Sequence, residues 1–505
     1  MRPVSPSARS RRPRLSVESL EGRLVPAGTV TASLSALGVL TLTGTDDDNG
    51  ITLKVTGSNV TLTPDGTTTL VGSVPPTGVV KSINVVMKGG ADVVSIDGTS
   101  AFQVPGAVTI SLGDGDNTLD MTTTGKIQVG ALTVKGGDGL DTVTVKGGAM
   151  AGSMVTGAAS FLYGTGGSST TWEDVKFNTT AKVVAGEAGG RANEVTANNV
   201  TVAGAMTASL SNAAAATVTV TGASSLGALT ETGYVVGALL NGTTVKGSVT
   251  IKATYQGDLQ VDGATVNGSV VLKGALPSVH AINNGTLIKG NLALTGTGWT
   301  DTSFATDSLS EVKGAVTVIG GWFNDQFATN DQFKVGKTVS LTLNGGDNSV
   351  AIGGGTNAVA IGGGLTVKAG AGIDTVALDH LTVAGATNLS LGAGNDSLQI
   401  ENGSTFTGAF TANLGTGDDG MSVAQNTALD GSLGATTFTG AAKILAGAGN
   451  DTLALGLDAM SGGDGNSMAI FSSLTNMLDG GLGLDTFDQP TGHTSGALTV
   501  IGWNP

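Results

Sequence analysis

The sequence predicts an all-β chain folded as a right-handed parallel β-helix, a solenoid of coils about 23 residues long with an N-terminal β cap. Two observations carry this. Apolar residues alternate with Thr, Ser or Lys over runs of four to six residues, which is the strand period. The runs themselves recur at a near-constant interval, and a fixed interval of this size is the mark of a stacked array.

The interval is read from eight segments: "TVKGSVTI" (244–251), "TVNGSVVL" (265–272), "LIKGNLAL" (287–294), "EVKGAVTV" (311–318), "KVGKTVSL" (334–341), "AIGGGLTV" (360–367), "TVAGATNL" (382–389) and "TFTGAFTA" (405–412). Their second residues are Val245, Val266, Ile288, Val312, Val335, Ile361, Val383 and Phe406, with steps of 21, 22, 24, 23, 26, 22 and 23. "QVPGAVTI" (103–110) and "QVGALTV" (128–134) fit more loosely. Turns between the runs are Asn241-Gly242, Asp262-Gly263, Asn284-Gly285 and Asn402-Gly403, residue pairs suited to tight corners. No stretch shows a 3.6-residue period with helix caps. A unit this short cannot bury its apolar side alone, so its neighbours must stack on it. A propeller blade would need about 40–50 residues.

The chain divides accordingly. Residues 1–27 are a basic arm or leader, 28–79 a β-rich cap, 80–490 the solenoid and 491–505 a tail. At some 17 or 18 coils the rod would be roughly 80–90 Å long. A cap is expected because a bare end coil is an aggregation edge.

Composition agrees and excludes several functions. There are 82 glycines, charged residues make up 12% and apolar residues 40%, so a packed core is possible without the charge of a disordered chain. Acids are 31 Asp against 8 Glu, and six of the seven arginines precede residue 24. Without residues 1–27 the net charge goes from −15 to −19, a body that repels nucleic acid and anionic membranes. No apolar window reaches the length of a transmembrane segment. The absence of cysteine removes disulfides, thiolate metal sites and cysteine nucleophiles.

The motif G-x-G-x-[DN]-x-apolar recurs at Asn117, Asp141, Asp374, Asp396, Asp419, Asp451 and Asp485, with a copy lacking an acid at Asn357. Degenerate copies centre on Asp92, Asp325 and Asn348. Most fall in phase with the coil; Asp141 to Asp325 is 184 residues, eight coils of 23. The turns should therefore stack on one edge of the rod. Stacked carboxylates repel, and a divalent cation between coils, held by carboxylate and carbonyl oxygens, would remove that cost. The motif resembles the RTX (haemolysin-type) calcium repeat G-G-x-G-x-D-x-U-x, although RTX arrays repeat every nine residues. The resemblance implies calcium as a cofactor. Its candidate ligands are Asp116, Asp141, Asp374, Asp396, Asp418, Asp419, Asp451 and Asp485, best where acids double up, as at Asp418-Asp419, Asp114-Asp116 and Asp46-Asp47-Asp48. The competing reading is that Gly makes the corner and Asp or Asn caps it.

A second ladder pairs "GWTDTSFATD" (298–307) with "GWFNDQFATN" (321–330), matching Trp299 to Trp322 and Phe304 to Phe327. The phenylalanines fit a stacked core. The tryptophans follow glycine in the turn and are candidate carbohydrate contacts, with stacking for stability as the alternative.

"RRPRLSVESLEGRLVPA" resembles the N-terminal segment of planctomycete extracellular proteins, where an Arg-rich stretch leads into an LE-x-R-x-x-PA-like tag, here Leu20, Glu21, Arg23, Pro26 and Ala27. The resemblance implies export or surface location. The function expected is thus a secreted or cell-surface structural or adhesive β-solenoid. Its expected partners are extracellular polysaccharide or matrix and surface components. The alternative is a carbohydrate-active β-helix enzyme, a polysaccharide lyase or glycosidase. Against it, the body offers only Arg191 besides scattered lysines, widely spaced His280, His380 and His493, and no catalytic motif. A turn repeated in many coils also favours structure over a catalytic site, which is needed once.

Overall fold

The computed structural model describes residues 28–503 apart from 57–58, 73–78, 100, 149–151, 188, 212–214, 298–302, 307–308, 331, 356, 425–434, 457–467, 474, 490–493 and 496. The described chain is all-β, 63% strand with no helix, wound into a parallel β-solenoid of about 16 turns at a spacing of about 23 residues. That is slightly fewer than the 17 or 18 coils expected, and the late coils are longer than 23 residues: one coil separates Asp419 from Asp451 and Asp451 from Asp485, steps of 32 and 34.

Each coil has three strand faces and three corners. In one coil Thr265–Val266 lies on face one, Val270–Gly274 on face two and Leu276–Asn283 on face three. Every face pairs parallel and in register with the coils before and after. Val245 pairs with Val266, Val266 with Ile288, Ile288 with Val312 and Val312 with Val335. All five are buried, and the column runs on through Ile361, Val383, Phe406, Phe438 and Phe471. It begins as far back as Val104 and Val129, so the looser early copies belong to it as well. Each aliphatic side chain removed from water here contributes about 1.5–3 kcal/mol, so the alternation selects which strand face turns inward.

Aromatic residues stack on face three and on face one. Phe304 lies on Phe327 with ring centroids 4.6 Å apart, and Phe438 lies between Phe406 at 5.3 Å and Phe471 at 4.9 Å. Trp172, fully buried between Phe161 and Phe177, forms a third aromatic group that single-residue spacing did not reveal.

The cap is built of two hairpins. Thr29–Leu34 pairs antiparallel with Val39–Thr43, and Gly50–Thr56 antiparallel with Asn59–Pro64. The inner strand of each hairpin then pairs parallel with the solenoid, Val39–Thr43 on Ser82–Val86 and Gly50–Leu53 on Val93–Ile96. The hairpins thereby convert an antiparallel end into a parallel template and cover the strand edge. At the other end, Leu498–Ile501 pairs with Asn476–Asp479, so the segment expected as a tail supplies part of the last coil.

The corner between faces three and one holds a column of left-handed residues. Gly242, Gly263, Asn284, His380 and Asn402 have φ of 62°, 56°, 52°, 50° and 54°. His380 is thus a corner residue, its Nδ1 3.2 Å from the Gly355 carbonyl oxygen.

Candidate functional site

The acidic turns form the corner between faces two and three, and they stack as the spacing predicts. Register confirms the eight-coil gap. Asp141 pairs with Ser168, Ser168 with Asn193, then come Ala216, Val236, Gly257 and Pro277. Ser278 next door pairs with Ser303, and Ser303 with Gln326, the neighbour of Asp325. The column is therefore continuous while its acids are not. Asn357, the copy without an acid, is not in it: it lies between the strands Ser349–Gly353 and Val359–Ile361, at the next corner.

The two glycines are required by the stacking. In the turn ending at Asp396, Gly392 and Gly394 have φ of 116° and 143°. A Cβ on Gly392 would lie 1.8 Å from the Gly370 carbonyl oxygen, and one on Gly394 1.7 Å from that of Gly372. Each coil's corner sits directly on the backbone of the one before, at a φ that side chains rarely adopt.

The acids divide into two columns. The inner column is Asp92, Asn117, Asp141 and, further along, Asp325, Asn348, Asp374, Asp396, Asp419, Asp451 and Asp485. All are buried, Asp374 at 1% exposure and Asp396 and Asp419 at 2%. Along most of the column Oδ1 accepts the backbone N–H of the equivalent residue one coil earlier: Asp374 donates to Asp396 and Asp396 to Asp419 at 2.8 Å. Asp419 likewise donates to Asp451 at 2.8 Å, and Asp451 to Asp485 at 3.0 Å. Asp141 Oδ1 instead accepts Asn117 Nδ2 at 3.0 Å, and Asp325 Oδ1 accepts the Gly321 N–H of its own turn at 3.4 Å.

The outer column is the residue just before each of these, and it runs the opposite way. Asn395 Oδ1 accepts the N–H of Asp418 in the next coil at 3.0 Å, and Asp418 Oδ1 that of Asn450 at 2.8 Å. Asp116 Oδ1 accepts from Leu140 at 2.7 Å and from the Arg191 guanidinium at 3.1 Å. Successive residues of an extended turn point to opposite sides, and so do their N–H groups. Doubled acids such as Asp418-Asp419 therefore do not converge on one point. Asp418 and Asp419, one of the tandem sets favoured as a cation site, instead serve separate columns.

Their electrostatics differ too. Burial pushes the carboxyls of Asp92, Asp396 and Asp419 up to about 6 and that of Asp141 up to about 7; Asp374 and Asp451 are raised for the same reason. Asp116, exposed, is lowered by the Leu140 N–H and then by Arg191.

Calcium takes about six to eight oxygens around one centre. Here Oδ1 of Asp92, Asp374, Asp396, Asp419, Asp451 and Asp485 is taken up by an N–H from the coil before, and among the described residues no three His, Asp or Glu side chains converge as a metal group. Trp322 is exposed at 66%, as its place in the turn predicts; Trp299 lies outside the described residues.

One polar groove sequence reading did not anticipate. Glu187, Ser209, Ser211, Thr232, Tyr234 and Lys252 line about 520 Å³ beside two exposed tyrosines, Tyr234 and Tyr255, which stack with centroids 5.4 Å apart. Only the one-coil step of 21 residues between them could have signalled it.

The fold and corner columns define the class: a parallel β-solenoid whose repeated polar residues form axial ladders. Compared with family models, curated proteins and solved structures, the chain matches none. Among the described residues no helix is long and apolar enough to cross a membrane.

Proposed function

We propose that the chain is a structural rod of the cell surface or extracellular space, acting in adhesion or matrix formation with polysaccharide or surface components as partners. The observation that carries this reading is that the acids, the chain's richest supply of reactive groups, repeat one scaffold bond coil after coil. A ladder of identical bonds stiffens a rod, whereas catalysis needs one dissimilar cluster. The export resemblance of residues 1–27, which lie outside the described residues, supports the location.

Fractionation of the producing cells with surface proteolysis tests it. The protein should be recovered from the envelope or medium, starting near Ala27 or Gly28 if the leader is cleaved. A protease-protected cytoplasmic protein would sink the proposal.

The carbohydrate-active reading has one observation in its favour, the groove at Glu187, Tyr234 and Lys252. The tyrosine rings lie face to face, so their flat sides meet each other and leave little face for a sugar to stack on. Release of unsaturated or reducing sugar ends from acidic polysaccharides, abolished by Lys252→Ala, would favour the enzyme over the rod.

A further inference from the structure

The inner column contains amides as well as acids, and the amides reveal what the second carboxyl oxygen faces. Asn117 Nδ2 donates to the carbonyls of Gly113 and Gly115 in its own turn, at 3.0 and 2.9 Å, and to Asp141 Oδ1 in the next coil at 3.0 Å. Asn348 Nδ2 repeats this with Gly346 at 3.0 Å and Asp374 Oδ1 at 2.8 Å. Asn49, in the cap, repeats it with Thr45, Asp47 and Asp92 Oδ1. The surroundings are therefore all acceptors: carbonyls two and four residues back, and the next coil's carboxyl.

In the acid rungs Oδ2 takes the place of that amide nitrogen. A Cβ built on the glycine five residues earlier meets Asn49 Nδ2 at 3.1 Å from Gly44, and meets Asp141 Oδ2 at 1.9 Å from Gly136 and Asp485 Oδ2 at 2.9 Å from Gly480. The Oδ2 atoms of Asp92, Asp141, Asp374, Asp396, Asp419, Asp451 and Asp485 are buried and accept no hydrogen bond. A bare carboxylate oxygen facing acceptors is repelled by all of them. An O–H there has the same partners as the amide N–H.

We infer that Asp92, Asp141, Asp374, Asp396, Asp419 and Asp451 are held as neutral carboxylic acids, structural isosteres of the asparagines in the same column, and that the column binds protons where the motif suggests calcium. Each Oδ2–H donates to the turn carbonyls or to the next Oδ1, giving a proton ladder through four consecutive coils from Asp374 to Asp451. The titratable groups acting on it are acids: the neighbouring rungs, Asp347 beside Asp374, Asp418 beside Asp419 and Asp451, Asp114 and Asp116 beside Asp141, and Asp48 beside Asp92. Buried Tyr163, bonded to Thr170, lies near Asp141, and Arg191 pairs with Asp116. All the acidic neighbours favour the neutral form.

The sign follows by linkage. Folded carboxyls that hold protons above their unfolded value of 3.8 stabilise fully below that pH, and the stabilisation is lost as pH rises through about 6 to 7. The rod should therefore be most stable in mildly acidic surroundings, the reverse of ordinary paired aspartates.

The test uses the full chain, wild type and the double variant Asp396→Asn/Asp419→Asn, melted between about pH 5 and about pH 8 with and without EDTA or calcium chloride. The wild type should lose several degrees of Tm across that range. The variant should lose less, match or exceed the wild type at the upper end, and ignore EDTA. At about pH 5, where exposed carboxyls have ionised, the infrared C=O band of a carboxylic acid should be present in the wild type and reduced in the variant. A wild-type Tm that rises with pH, a missing acid band, or a calcium-dependent Tm gain lost in the variant would each overturn the inference. Should the variant fail to fold, the wild-type pH profile and acid band decide alone.

Discussion

Asp396 Oδ1 accepts the N–H of Asp374 from the coil before it, while Asn395 Oδ1, one residue earlier, accepts the N–H of Asp418 from the coil after it. Two adjacent side chains thus bind the stack in opposite directions, one inside and one at the surface. Both columns need an acceptor oxygen, and neither bond requires a charge.

In the outer column, Asp418→Asn should be nearly neutral, since Asn395 and Asn450 already fill equivalent places. Asp418→Ala removes the acceptor for the Asn450 N–H and should cost about 1 kcal/mol. Chemical denaturation of the two variants side by side checks the difference. Equal losses would mean that charge, not acceptance, is what matters at the surface.

Chelation at about pH 7 should leave Tm unchanged. A ligand bound only to the folded state at a hundred times its Kd stabilises by about 2.7 kcal/mol, so removal of a resident calcium would be plain in a melting curve. A reproducible drop with EDTA, restored by calcium but not magnesium, would return the turns to the cation reading.

Gly394→Ala should be severely destabilising, by about 2 kcal/mol or more, through the clash with the Gly372 carbonyl and a φ of 143° that alanine avoids. Gly66→Ala, where an added Cβ meets nothing within 4 Å, is the control and should change little. Comparable unfolding midpoints for both variants would show that the corners yield more easily than their stacking implies.

Phe438→Ala, opening a cavity between Phe406 and Phe471, should cost about 3–5 kcal/mol, read as lost hydrogen-exchange protection in the adjacent coils. Because each coil contacts mainly its neighbours, the cap strands Val39–Thr43 should keep their protection. Uniform loss along the whole rod would mean that it unfolds as one cooperative unit.

The solenoid was legible because its cause is local and repeated. The 23-residue recurrence of Val245, Val266 and Ile288, with alternation between, specifies which side of each strand is buried, and stacking follows from burial. The in-phase acidic turns were legible for the same reason. The hairpins of the cap were less so, because residues 28–79 carry no recurrence to align.

By itself, the sequence determined the coil length, the inward columns, the glycine corners and the recurrence of Asp or Asn at one slot in many of the coils. Only the tertiary structure decided what that slot means. Sequence spacing places Asp418 and Asp419 together, but the extended backbone turns them to opposite sides, one to solvent and one into the stack. The stacked coils also set Asn117 among two carbonyls of its own turn and the carboxyl of Asp141 in the next coil. Whether an aspartate is a charge or an amide-like acid depends on those surroundings, and they exist only once the coils are stacked.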